Sequence, residues 1–127
     1  MNLCILPQKI AIIKLNPIHP IPKWVIEGRE FRSITYTDEE LSIVCSQDLL
    51  PLTTEDMEVS LEWRGVKVMG PLDFSLTGIL ASLAKPLAEE NISIFAISTY
   101  NTDYLLVKNN KLEEALEVLI KKGHNII

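Results

Sequence analysis

The run Met69-Gly70-Pro71-Leu72-Asp73-Phe74-Ser75-Leu76-Thr77-Gly78-Ile79-Leu80 passes from a strand-like segment into a helical pattern through small and hydroxyl residues. A helix begun in this way leaves its first backbone N–H groups without intrahelical acceptors, at the positive end of the macrodipole. It can therefore receive a carboxylate or phosphate without a basic side chain. Further along, Ile97-Ser98-Thr99-Tyr100-Asn101-Thr102-Asp103-Tyr104 turns between two apolar runs and supplies acceptor groups and one acid. An anion-receptive backbone and a carboxylate together are suited to a zwitterion.

Other chemistries have little to build on. Gly-x-Ser-x-Gly, a Walker loop, HExxH and CxxC are all absent, and neither His19 nor His124 has a serine, cysteine or metal-ligand partner at a useful spacing. We expect no catalytic residues, no metal and no cofactor. The loop before Gly78 contains no lysine, which argues against a phosphate cradle. Cys4 and Cys45 each lie in an apolar run and are expected to be buried thiols.

The 127 residues carry a net charge of −5, which disfavours nucleic acid and anionic membranes, since both need a basic surface. A chain of this length buries roughly 65–70% of the surface it exposes when unfolded, enough for one domain or two small ones sharing a core. No apolar run approaches the ~20 residues that span a bilayer, and Met1 to Pro7 lacks the pattern of a signal peptide. The expected compartment is the cytoplasm.

The elements that must position the two loops divide near residue 60. Before it, Leu3 to Leu6, Ile10 to Leu15, Phe31 to Tyr36 and Leu41 to Cys45 read as strands, with a short helical segment at Lys23 to Glu27 between Pro22 and Gly28. The polar stretch Gln47 to Asp56 marks the boundary, so the expected domains are 1–60, with little helix, and 61–127. In the second half, Trp63 to Met69 reads as a strand, and Leu76, Ile79, Leu80, Leu83 and Leu87 recur at helical spacing with Pro86 inside the pattern. Ile92 to Ile97 and Asp103 to Val107 form an antiparallel pair, because their connection is too short for a parallel crossover. Asn110 and Glu113 resemble a capping box opening a helix that Gly123 ends, and Asn125 to Ile127 could supply a last strand. The order is βαββαβ, a ferredoxin-like α+β arrangement with an antiparallel sheet. Ile92 to Ile97 and Tyr104 to Val107 are apolar on both faces, so the N-terminal half, a second subunit, or both must cover the side away from the helices.

Gly70 to Ala88 followed by Ile94 to Val107 closely resembles small bacterial proteins made of two ACT-type domains, and Leu41 to Ser46 and Glu62 to Gly65 also fit that pattern. The signature is similar to that of the cytosolic arginine sensors of animal cells. The resemblance implies two βαββαβ modules and an amino-acid-binding regulatory protein, with a free amino acid held at a domain or subunit interface and a homodimer as its assembly. By the same resemblance the ligand contacts fall on Thr77, Gly78 and Ile79 at the helix start and on Thr99, Tyr100 and Asp103 in the second loop, with Phe74, Ser75 and Asn101 beside them. The sensors use an acid in the helix-start loop, whereas Phe74 to Ile79 has none, so a ligand with one ammonium and a modest side chain is expected.

Each of these residues also has a plainer reading. Asp103 could cap the turn, Gly78 could permit close packing of helix on sheet, and Ser75 could cap the helix in competition with Asp73. Tyr100 could pack at a dimer contact, and Trp24 and Trp63 read as core or interface aromatics. An adaptor that dimerises through ACT-like sheets without any ligand is the alternative function.

Overall fold

Alternating β-branched residues and proline- or glycine-rich breaks produce seven strands and three helices in a computed structural model that describes residues 1–127. They are β1 Asn2–Leu15, α1 Lys23–Ile26, β2 Arg32–Tyr36, β3 Leu41–Ser46, β4 Glu58–Val68, α2 Ile79–Glu89, β5 Phe95–Ser98, β6 Asp103–Lys108, α3 Leu112–Lys121 and β7 Asn125–Ile126. The architecture is α+β, with antiparallel β1–β3, β2–β3 and β5–β6 pairs and a short parallel pairing of β7 with β1. Gln8–Trp63 form one compact unit; Met1–Pro7 and Arg64–Ile127 form the other.

In the unit Gln8–Trp63 the strand order is β2-β3-β1-β4, using the portions of β1 and β4 that fall within it. Ala11, Ile13 and Leu15 of β1 and Leu41, Ile43 and Cys45 of β3 alternate along their strands and form one core with Val25 of α1. That period of two is what buries one face of a sheet. Helix α1 is a single turn, because Pro20 and Pro22 precede it and Gly28 follows. Glu62 has a left-handed backbone, φ 65°, and its side chain is held by Gln47 Nε2 at 2.7 Å and Lys9 Nζ at 2.9 Å.

The other unit contains β4-α2-β5-β6-α3-β7 in chain order. Its sheet runs β5-β6-β4-β1-β7, with the first residues of β1 beside β4, where the Met69 N–H donates to the Asn2 carbonyl at 2.8 Å. Val66 and Val68 of β4, Leu105 and Val107 of β6, and Leu3 of β1 face Leu83 and Leu87 of α2 and Ala115 and Leu119 of α3. Fully burying each of these side chains contributes roughly 1.5–3 kcal/mol for a Leu or Val.

The ends of the helices differ from the sequence reading. Helix α2 starts at Ile79, not Leu76, and α3 starts at Leu112 with no side-chain cap, so Asn110 lies in a 3-10 turn, Asn109–Lys111, instead of a capping box. Strand β5 begins at Phe95 because Ile92 is taken by the end of α2: its N–H donates to the Leu87 carbonyl at 2.9 Å while Asn91 adopts φ 59°. Pro86 sits in the last turn of α2 without ending it.

Candidate functional site

The loop after β4 and the turn between β5 and β6 close on one another. Leu72 N–H donates to the Asn101 carbonyl at 2.7 Å, and a Cβ on Gly70 would stand 3.1 Å from that same oxygen, so Gly70 is needed for this approach. Thr102 is buried, and its hydroxyl donates to the Val68 carbonyl at 2.6 Å, fastening the turn to the end of β4. Within the turn the Thr99 N–H donates to the Thr102 carbonyl at 2.8 Å, and the Thr99 hydroxyl bonds the same oxygen at 3.1 Å.

Between these segments lies a cavity of about 400 Å³, within the range of small-ligand sites. Phe74, Gly78, Ile79, Thr99, Tyr100, Asn101 and Asp103, seven of the residues expected at the site, line it. Ser75 and Thr77 belong to the same loop but not to the cavity wall. The wall also contains Leu72, Asp73, Leu76, Leu80, Ser98 and Thr102. Of these, Ser98 and Thr102 stand inside the second polar segment and were open to notice by their type; Asp73 and the three leucines are brought to the wall only by the fold.

Gly78 is the N-cap of α2, with φ 74°, and no side chain bonds the first amides of the helix. The first helical bond runs from the Ser82 N–H to the Gly78 carbonyl at 2.9 Å, so the helix start facing the cavity has the open character its sequence implied. A Cβ added to Gly78 meets nothing within 4 Å, so the glycine answers to its left-handed backbone, not to packing of helix on sheet. Ser75 does not cap the helix. Its N–H donates to Asp73 Oδ1 at 2.8 Å, forming an Asx turn, and the Leu76 N–H bonds the Asp73 carbonyl at 3.0 Å. The Ser75 amide, and after it the Ser75 hydroxyl, hold the Asp73 carboxyl below the usual carboxylate range.

The cavity wall therefore carries two carboxylates, Asp73 and Asp103, and no lysine, arginine or histidine. This corrects the expectation of a single acid. Asp103 opens β6, pairs with Ser98 across the hairpin and accepts the Ser98 hydroxyl at 2.6 Å. At the mouth, Phe74 and Tyr100 are 73% and 80% exposed, with their rings edge to face at 4.8 Å. Such an arrangement can hold a small solute through an open helix start, carboxylates and an apolar wall.

The ACT-domain family model matches residues 58–121, just over half of the chain. The chain belongs to the ACT-domain family. A second model, of an N-terminal domain, matches residues 8–53. A crystal structure of an Agrobacterium tumefaciens protein is 40% identical and superposes with a TM-score of 0.90, covering 99% of this ACT protein and 91% of that chain. The cytosolic arginine sensor of Homo sapiens is 40% identical over 90 residues, which are 70% of this chain and 26% of the sensor. The match thus spans about a quarter of the length of the arginine sensors. The regulatory subunit of aspartate kinase from Thermus thermophilus shares the fold, with a TM-score of 0.65 at 12% identity over 94% of this chain and 97% of that one.

No group of three His, Cys, Asp or Glu side chains is placed to hold a metal ion, and no helix is long and apolar enough to cross a membrane. Burial pushes the Cys45 thiol up to about 11, which makes it a poor nucleophile.

Proposed function

We propose that this ACT protein is an amino-acid-binding regulatory protein that takes a free amino acid in the cavity between the Leu72–Leu80 loop and the Ser98–Asp103 turn. The observation that carries this reading is the presence, in the wall of one cavity, of the uncapped start of α2 and the Asp103 carboxylate. The first would receive the α-carboxylate and the second the α-ammonium. The kinship with a protein named as an arginine sensor supports the same class of ligand. With two carboxylates and no basic side chain in the wall, ligands bearing extra positive charge are admitted and acidic amino acids are repelled.

The same proposal takes the two compact units as two ACT-like modules, the protein as cytoplasmic and non-enzymatic, and the working form as a homodimer that brings a second chain to the mouth at Phe74 and Tyr100. The exposure of those two rings also favours the second reading, an adaptor that docks through this surface with no ligand. Thermal denaturation in the presence of each of the twenty amino acids separates the two. A dissociation constant near 10 μM at about 1 mM ligand raises stability by roughly 2.7 kcal/mol, a shift of several degrees. No shift with any amino acid would overturn the sensor reading in favour of the adaptor.

A further inference from the structure

Asp103 is the first residue of β6, half-buried at the cavity wall, and nothing in its backbone fixes its carboxylate to one rotamer. Ser98 supplies what the backbone does not. It is the last residue of β5 and stands directly opposite Asp103 in a register set by the pairs Phe95↔Leu106, Ala96↔Leu105 and Ile97↔Tyr104. The ladder therefore sets the Ser98 side chain beside that of Asp103. The Ser98 hydroxyl donates to Asp103 Oδ1 at 2.6 Å, the short distance of a charge-assisted O–H···O⁻ bond. Behind it, the Thr99–Thr102 bonds and the anchor from Thr102 to Val68 hold the turn without any contribution from the Ser98–Asp103 bond.

We infer that Ser98 is the positioning residue of the site: by occupying Oδ1 of Asp103 it sets the carboxylate plane and leaves Oδ2 for the ammonium of the ligand. This rests on the amino-acid-binding reading above. A serine that only fastened the hairpin would act on fold stability and on every ligand alike; a serine that aims Asp103 acts on recognition of the ammonium.

The test has one arm that needs no ligand. In the ligand-free full chain, side-chain couplings of Asp103 measured by NMR should report one dominant rotamer in the wild type, averaging in Ser98→Ala and a single rotamer again in Ser98→Thr, which restores the hydroxyl. An unaveraged Asp103 in Ser98→Ala overturns the proposal whatever the protein binds. The second arm uses L-arginine and its deaminated analogue, 5-guanidinopentanoate, as probes in calorimetric titrations. Ser98→Ala should weaken L-arginine by roughly three- to tenfold and leave the analogue unchanged, with recovery in Ser98→Thr. Equal loss for both probes reduces Ser98 to a hairpin fastener and overturns the inference. If the wild type answers to none of the twenty amino acids, the functional reading falls, and the rotamer arm alone decides the role of Ser98.

Discussion

Asp103 and Gly78 both line one cavity, and each leads to a distinct expectation. A charge-assisted bond from Asp103 to an ammonium contributes about 1.5–3 kcal/mol, so Asp103→Asn should lower amino-acid affinity roughly ten- to a hundredfold with the fold intact. Titration calorimetry beside a melting curve checks this: unchanged affinity would assign Asp103 to the turn, since asparagine caps similar turns. Gly78 has open space around its missing Cβ but a φ of 74°. Gly78→Ala should therefore cost about 1–2 kcal/mol through the backbone, and Gly78→Asn distinctly less, because asparagine tolerates the left-handed region. Equal denaturation midpoints for the two variants would contradict a backbone origin. The polar character of both loops was legible in the sequence. The assignment of Asp73 to the cavity wall was not, because an aspartate five residues before a helix-start glycine has no fixed direction until the loop is folded.

The elements around the site depend on a few long-range bonds. The Thr102 hydroxyl is the tie between the β5–β6 turn and the end of β4, and it is buried. Replacing it in Thr102→Val keeps the shape but leaves the Val68 carbonyl without that donor, at a cost of about 1–3 kcal/mol. Urea denaturation should show that loss, and ligand affinity should fall with it as the turn loosens; a variant as stable as the wild type would remove Thr102 from this role. Helix α2 illustrates how local pattern and tertiary context share control. Its apolar stripe, Leu83 and Leu87 with Ile79 and Leu80 beside them, was evident at helical spacing, yet Leu76 continues that spacing and is not helical. The Asx turn at Asp73 and the left-handed Gly78 interrupt the backbone there, and periodicity of side chains carries no information on either.

For the whole molecule, two expectations concern assembly and pH. Strand β5 ends the sheet of its unit, and Phe95, Ile97 and Tyr104 are half-exposed on the face away from Leu105 and Val107. A homodimer would cover this face or continue this edge. Sedimentation at micromolar concentration should report twice the 14.3 kDa chain mass, and Phe95→Asp should dissociate or unfold the dimer; a stable monomer of wild type overturns the expectation. His124 is buried, and burial first, then the charge of the amino terminus, hold its imidazole below its ordinary value of 6.5. The unfolded chain then binds the proton more readily than the folded one. Its contribution to stability is present above about pH 6.5 and is lost as pH falls through the depressed folded-state value. Denaturation midpoints measured at about pH 7.5 and about pH 5.5 should diverge in the wild type and diverge less in His124→Gln; equal divergence in both would assign the acid sensitivity to other groups.

Sequence alone determined which faces would be buried and where polar segments would gather. Ile13 and Leu15, Leu41 and Ile43, Val66 and Val68, and Ala115 and Leu119 of the last helix repeat at the period of their element, and burial follows that period directly. It also exposed the two loops that line the cavity, because hydroxyl, amide and glycine residues gather there between apolar runs. Tertiary structure decided the rest. The first residues of β1 complete the sheet beside β4 through a bond from Met69 to Asn2, and the two acids, Asp73 and Asp103, meet in one wall although one lies in a loop and the other at the end of a distant turn. Pairings of this kind are made by backbone groups that every residue carries, so no local pattern of side chains announces them.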